Sequence, residues 1–476
     1  MHILLKTFAL CFLLSVAVSR LILPSHLPKI RENNAKHLKP ELADRTKPLN
    51  AQSTASPVQG IQNATSGYLS VNDPATDSKL FYVFYSCRNL KSGQAPKDVP
   101  IVIWLQGGPG ASSFMGNFME FGPYRLEKDS ASGKYKEVVN ERSWNDYYNL
   151  LIVDNPRGTG YSVADDNSYV TGQDEVAEDF LNALINFYQL DAFSNFDQTP
   201  LYIFGESYGG HYIPSISKRV IEYNRGSPAQ KIPLSGIGIG DGWTDPNNQL
   251  AGYGLFGFSL GFIDYNERKT VEHNQLLGIG NILKGDFVNA LNNFDTACDT
   301  IVKAAGGVNV YNFRLYGDYD NSMLGAFFND AATAARYNID PSRVGTYTDE
   351  NEDVYNALSN DFMQTVADRV AFVAESGLPV LLYNGQYDVI VNTATALNWI
   401  GNLEWSGQIG FYNAPLQNWI YNNGSAVGLA KNYKNFTFAI INKAGHMAPA
   451  DQLEPSIEMI RRFTSGNNNW NQTFHL

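Results

Sequence analysis

A serine between two glycines, directly after an apolar run, constrains this chain more than any other feature in it. Leu201-Tyr202-Ile203-Phe204 has the composition of a buried strand, Gly205-Glu206-Ser207-Tyr208-Gly209-Gly210 follows at once, and the next stretch reads as helix. Strand, sharp turn and helix with serine at the tip form a nucleophile elbow, which pushes a hydroxyl out of a sheet to where a substrate can reach it. The flanking glycines let the backbone turn that tightly. By itself G-x-S-x-G turns up in roughly one chain of this length in six, so the remaining sequence has to decide the matter.

With 476 residues, 44% of them hydrophobic, the chain can bury one large core or two domains. Residues 1–19 combine a basic start, an apolar run from Phe8 to Val18 and small residues at Ala17 and Ser19, the pattern of a cleaved secretory signal. No later stretch approaches the ~18 to 20 apolar residues of a membrane span. Sequons at Asn63, Asn423, Asn435 and Asn471 fit a glycosylated protein of the secretory pathway, retained in a lysosome or vacuole or secreted. Cys11 leaves with the signal, so Cys87 and Cys298 remain as the one intramolecular pair. A disulfide between them is the expectation, with two buried thiols as the alternative. Neither cysteine lies in a metal-ligand cluster, so neither a metal nor another cofactor is expected. A net charge of −12 argues against nucleic acid as a partner.

Residues 20–58 show no sustained apolar period and read as a mobile arm or propeptide. The fold begins near residue 59, where 67–71 and 79–86 look like paired antiparallel strands. Continuous apolar runs at 99–105 and 149–154 suit strands buried on both faces, and each ends in a glycine-rich loop. Between the second run and the elbow, Thr171 to Asp174 offers a capping box, and Val176, Phe180, Leu184 and Tyr188 recur at helical spacing. Strand, helix and strand give a right-handed crossover and a parallel sheet. Gly236 to Gly240 reads as another strand. From 250 to 346 the strand signal disappears, which predicts a helical cap inserted over the C-terminal ends of the strands. A long helix from Val354 to Ala374 and strands at 378–383 and 436–441 complete the pattern. The expected architecture is an α/β-hydrolase fold, with its core in 59–249 and 347–476 and its cap in 250–346.

A serine hydroxyl needs a base within hydrogen-bond reach and a third group that fixes the base's tautomer. Of seven histidines, His2 lies in the signal, His26 and His37 in the arm, His273 in the cap and His475 at the C-terminus. His211 sits on the elbow helix, where it packs or meets solvent rather than aims at the serine. His446 remains, on a loop just past a core strand. Asp388 follows the preceding core strand, and Ser207, Asp388, His446 is the chain order of a hydrolase triad. Asp451 reads as a helix N-cap.

WLQGGPG at 104–110, DNPRGTGYS at 154–162, GESYGG, YNGQYD and GHMAPADQ together resemble the serine carboxypeptidase family from about Gly67 to Phe463. IGDGWTDP at 239–246 and the Gln before Gly-Gly-Pro-Gly most resemble its vitellogenic carboxypeptidase-like branch. The resemblance implies hydrolysis of the C-terminal peptide bond of peptides and proteins through an acyl-enzyme, favoured at acidic pH. It implies an oxyanion hole from the N–H groups of Gly108 and Tyr208, and recognition of the substrate's free carboxylate by Gln106, Gly107 and Glu206. A carboxyl facing a carboxylate attracts it only if one proton is shared, so binding is expected to weaken as Glu206 ionises. Met447 is expected at the pocket for the leaving residue, with core packing as the alternative, and the Tyr208 ring at the cleft wall. His446 is expected to be kept neutral by burial, aided by a proton on Glu206. Ala111 stands where the family often has cysteine. An acyltransferase or esterase on the same machinery, or a non-catalytic binding protein on a hydrolase fold, are the competing readings.

Overall fold

The computed structural model describes residues 53–71, 76–317 and 319–474. The expected signal and the arm as far as residue 52 lie outside them. The described residues form thirteen strands: β1 (Ser56–Pro57), β2 (Ala64–Ser70), β3 (Lys79–Tyr85), β4 (Ile101–Leu105), β5 (Tyr124–Lys128), β6 (Tyr135–Val139), β7 (Asn149–Val153), β8 (Leu201–Glu206), β9 (Leu234–Gly240), β10 (Val380–Gly385), β11 (Gln417–Ile420), β12 (Ala426–Tyr433) and β13 (Phe436–Ile441). Apart from the β5–β6 hairpin they form one sheet in the order β1-β2-β3-β7-β4-β8-β9-β10-β13-β12-β11. The six central strands from β7 to β13 run parallel, and antiparallel strands close both edges. This is the α/β-hydrolase architecture.

The apolar runs are continuous because the central strands are covered on both faces. Ile101, Ile103 and Leu105 enter one core with Leu151, Val153, Leu201 and Ile203. Val102 and Trp104 enter the other with Leu150, Ile152, Tyr202 and Phe204. The glycine row of β9 makes room for aromatic rings: a Cβ at Gly238 would fall on the Phe204 ring, and one at Gly240 on that of Tyr383.

Between β9 and β10 the chain runs through helices and loops, including Tyr253–Ser259, Tyr265–Ile282 and Phe287–Ala304. Three sequence expectations change. The long helix from Val354 to Ala374 is two, Glu352–Ala357 and Ala367–Glu375. The link unwinds because its backbone serves the elbow: Phe362 O accepts from Trp243 Nε1 at 2.8 Å, and Gln364 O lies 2.8 Å from His211 Nε2. The helix Gln173–Gln189 is capped by Gly172, while Thr171 bonds Glu175 rather than closing a box with Asp174. Residues 53–58 belong to the sheet and not to the arm, since Ser53 and Thr54 bond the backbone of Ser70 and Tyr68 and Ser56–Pro57 pairs with β2. Among the described residues no helix is long and apolar enough to cross a membrane.

Candidate active site

Adjacent parallel strands deliver their following residues to one edge of the sheet, where ligands bind in open α/β sheets. β4 delivers Gln106, β8 Ser207, β9 Asp241, β10 Asp388 and β13 His446. Ser207 has φ of 58°, in the left-handed region that a side chain enters at a cost. Its N–H donates to Gly240 O at 3.0 Å, and its carbonyl accepts from Gly210 and Trp243 N–H groups, each at 2.9 Å. The turn is thus held from both sides, and Ser207 is half-buried at its tip.

Asp388 is fully buried. Its Oδ1 accepts from Val391 N–H at 3.1 Å, and its Oδ2 lies 2.7 Å from His446 Nδ1. With the Nδ1 hydrogen donated to Asp388, Nε2 is the basic nitrogen. Nε2 is buried and has no hydrogen bond to protein among the described residues, so Ser207 and His446 are not bonded in this structure. In ligand-free enzymes such bonds are often open and tighten on the substrate.

The loops of acid and base touch, since a Cβ at Gly385 would strike the Gly445 carbonyl. Part of the inserted segment clamps them. His446 N–H donates to Tyr311 O at 2.7 Å, the Tyr311 ring stands 5.2 Å from the imidazole, and Phe313 N–H donates to Tyr387 O at 3.0 Å. Asp451 is no N-cap. It accepts from Gly445 N–H at 2.7 Å and Asn312 Nδ2 at 2.8 Å, tying the histidine loop to the insertion.

Burial lowers the pKa of His446, as the sequence reading expected, but the Asp388 charge and hydrogen bond and the Glu206 charge outweigh it. The net shift is upward, so burial alone does not keep this imidazole neutral.

Gly107 abuts the elbow: a Cβ there would lie 2.5 Å from Tyr208 N and 2.6 Å from Ser207 Cβ. Gly108 follows with φ of 97°. Among the described residues the backbone N–H groups of Gly108 and Tyr208 make no hydrogen bond, which leaves both free to meet an oxyanion. The Tyr208 ring does not line a cleft. It is fully buried, stacked between His211 and Phe362, and its hydroxyl donates to Asp361 Oδ2 at 2.5 Å. Of the two alternatives for His211 the structure shows packing: it is fully buried, with Nδ1 2.6 Å from Trp243 O.

Behind the serine lies a carboxyl pair. Gln106 Oε1 accepts from Trp104 Nε1 at 2.8 Å, so its Nε2 faces Glu206 and donates to Oε1 at 2.6 Å. Glu206 also interacts with Glu120, a fully buried acid on the helical turn Gly116–Phe121. No lysine or arginine bonds either carboxyl among the described residues, and the charges of Arg125 near Glu120 and His446 near Glu206 only partly offset the repulsion between two ionised groups. Burial, opposed by His446 and Gln106, raises the pKa of Glu206 to about 7. Burial and then the Glu206 charge hold Glu120 well above the carboxylate range. Glu120 escaped the sequence reading; its one signal was an unpaired acid inside the apolar run Phe118-Met119-Glu120-Phe121.

Met447 is buried yet belongs to neither apolar core. The expected disulfide is absent. Cys87, after β3, has its Sγ 3.6 Å from Asp146 O, whereas Cys298 packs within helix Phe287–Ala304, and both are free buried thiols. Of the four sequons, Asn63, Asn423 and Asn471 are exposed. Asn435 donates from Nδ2 to Ala374 O at 2.8 Å and Leu378 O at 2.7 Å, and a glycan on that nitrogen would displace one of these bonds.

A family model described as serine carboxypeptidase matches residues 57–466. The chain is 32% identical over 419 residues to serine carboxypeptidase S10 family member 1 of Dictyostelium discoideum, covering 85% of this chain and 96% of that protein. It is 33% identical to the venom serine carboxypeptidase of Apis mellifera, covering 84% and 83%. Probable serine carboxypeptidase CPVL of Dictyostelium discoideum is 31% identical, with 83% and 77% covered, so these identities do not set the vitellogenic-like branch apart. Among solved structures, KEX1(delta)p, a prohormone-processing carboxypeptidase from Saccharomyces cerevisiae, is similar with a TM-score of 0.74 and 26% identity, covering 85% of this chain and 91% of that one.

Proposed function

The chain belongs to the serine carboxypeptidase family, and from that premise we propose that it hydrolyses the C-terminal peptide bond of peptides and proteins. The observation that carries this reading is the Gln106–Glu206–Glu120 cluster directly beside the elbow. A proton held on the glutamate pair, with the Gln106 amide and the Gly107 N–H, offers donors to a terminal carboxylate without any basic residue. A substrate so anchored presents its last peptide carbonyl to Ser207.

In the proposed reaction the Ser207 hydroxyl attacks that carbonyl while His446 Nε2 takes its proton, and Asp388 stabilises the imidazolium. Gly108 and Tyr208 N–H groups receive the oxyanion. His446 then protonates the leaving amino acid, and water, activated by the same imidazole, hydrolyses the acyl-enzyme. Met447 borders the leaving residue. Binding favours pH below about 7, where the glutamate pair keeps its proton. Protonating Glu206 also removes one of the charges that raise His446, so one proton serves binding and frees the base. This coupling supports activity on the acid side of neutrality, in a secretory or lysosomal setting reached through the signal at 1–19.

The test compares an N-blocked dipeptide with its C-terminal amide at mildly acidic pH, with Ser207→Ala as control. Turnover of the acid alone, lost in the variant, is expected. Equal turnover of both substrates would indicate an esterase or general peptidase, and no serine-dependent turnover a binding protein.

A further inference from the structure

The motif IGDGWTDP contributes a residue that the triad as described does not use. Asp241 follows β9 with φ of 43°, and its N–H donates to Tyr383 O at 2.7 Å. It is 0% exposed. Its Oδ1 accepts from Gly385 N–H at 2.8 Å and Asn384 Nδ2 at 3.3 Å, which holds the turn out of β10 that leads to Asp388. Its Oδ2 is buried with no hydrogen-bond donor among the described residues. Asp241, Asp388 and His446 bring side-chain oxygen and nitrogen atoms to within 4.8 Å of one another.

Two carboxyls side by side in a sealed space cannot both be ionised without an unscreened repulsion and an unsatisfied oxygen. The groups facing Asp241 are Asp388 from the β10 loop, Glu206 from β8, Tyr383 from β10 and His446 from the β13 loop. None but His446 can carry a positive charge. Both oxygens of Asp388 already have partners, Val391 N–H at Oδ1 and His446 Nδ1 at Oδ2, whereas Asp241 leaves Oδ2 without one among the described residues. Asp241 is the member suited to keep a proton, and Oδ2 is the atom to hold it.

We propose that Asp241 is a positioning residue of the triad, a neutral carboxylic acid whose Oδ2–H donates to Asp388 and so limits how strongly Asp388 holds a proton on His446. Burial, followed by the Asp388 charge, keeps this carboxyl well above the carboxylate range. The hydrogen bond spreads the charge of Asp388, so the imidazolium beside it is stabilised less than it would be by an undivided carboxylate. His446 thereby stays basic at Nε2 to lower pH, which partly offsets the upward shift that Asp388 imposes.

The inference rests on the reading of Ser207, Asp388 and His446 as a triad, so it is tested by two readouts. The first is the acidic limb of kcat/KM in wild type, Asp241→Asn and Asp241→Ala. The second is the His446 imidazole titration by NMR in the same three proteins, assigned with His446→Gln, which needs no turnover. An amide can donate to Asp388 as the protonated acid does, and keeps an oxygen for Gly385. Asp241→Asn is therefore expected to leave both midpoints in place. Asp241→Ala removes the donor and should move both upward by about half to one pH unit.

A midpoint that falls in either variant would mean that Asp241 is ionised in the native protein, and would overturn the proposal. Unmoved midpoints in a folded Asp241→Ala would reduce Asp241 to a structural brace and overturn it equally. If the alanine variant fails to fold, a lowered midpoint in Asp241→Asn alone rejects the idea, and an unmoved one supports it. Metal found by elemental analysis, with a chelator shifting the limb, would mean that a bound cation and not a proton neutralises Asp241, and would overturn the proposal. Wild type without serine-dependent turnover would refute the proposed function, while the imidazole titration still decides the role of Asp241.

Discussion

Substituting Glu206 by Gln separates the proton from the geometry at the proposed carboxylate-binding ledge. The amide has nearly the shape of the protonated acid, can still accept from Gln106 Nε2, and carries a permanent donor where Glu206 holds a titrating one. In wild type the carboxyl titrates at about 7. If only the protonated form grips a carboxylate, roughly a tenth of the protein is competent one unit above that pKa, and affinity falls about tenfold, or ~1.4 kcal/mol. The loss appears as pH rises through 7 and vanishes on the acid side, where the pair is protonated. Since Glu120 and Glu206 interact, the midpoint belongs to the two glutamates together. An N-blocked dipeptide is a suitable probe because its one ionisable group, a carboxylate with a pKa of about 3.5, stays charged throughout. Calorimetric Kd measured from about pH 5 to about pH 8 in a Ser207→Ala background excludes any contribution from His446-dependent chemistry. The expected result is a tenfold weakening with Glu206 and a flat profile with Gln. A flat profile in the parent, or the same slope in the Gln variant, refutes the shared-proton argument.

Gly107→Ala should fold yet lose about 10²-fold or more in kcat, because its Cβ would press on Tyr208 N and Ser207 Cβ and move the oxyanion donors; near-normal kcat would place the hole elsewhere. Ser207→Gly should abolish turnover while raising unfolding stability by about 1 kcal/mol, since φ of 58° suits glycine. A lower stability in chemical denaturation would show that the Ser207 side chain contributes more packing than its backbone conformation costs. Titration of the denatured, unreduced mature protein with a thiol reagent should find Cys87 and Cys298 both free, and reduction should leave the unfolding curve unchanged; no reactive thiol would restore the disulfide.

Parallel strands covered on both faces leave an unmistakable record in a sequence, which is why β4, β7, β8, β10 and β13 were legible within one or two residues. The edge pair β11 and β12 was not, because half-exposed strands mix polar and apolar residues without a clean alternation. The arrival of Ser207, Asp388 and His446 at one edge of the sheet was legible for a related reason. Ser207, Asp388 and His446 each follow a core strand, and the parallel order carries their ends to one side.

What the chain could not show in one dimension is which acids face one another. Glu120 stands 86 residues before Glu206, and Asp241 stands 147 before Asp388. Nothing local marks either as a proton carrier. The pairing arises only when the sheet and its insertion exclude water around both members, since desolvation and mutual repulsion are properties of a place and not of a residue type. The same holds for the linker after Ala357. It lies between two stretches that read as one helix, but the indole of Trp243 and the imidazole of His211 bond its carbonyls, and those partners come from the turn after β9 and from the elbow helix. Local sequence set the strands and the nucleophile's turn; burial in three dimensions decided where the protons sit.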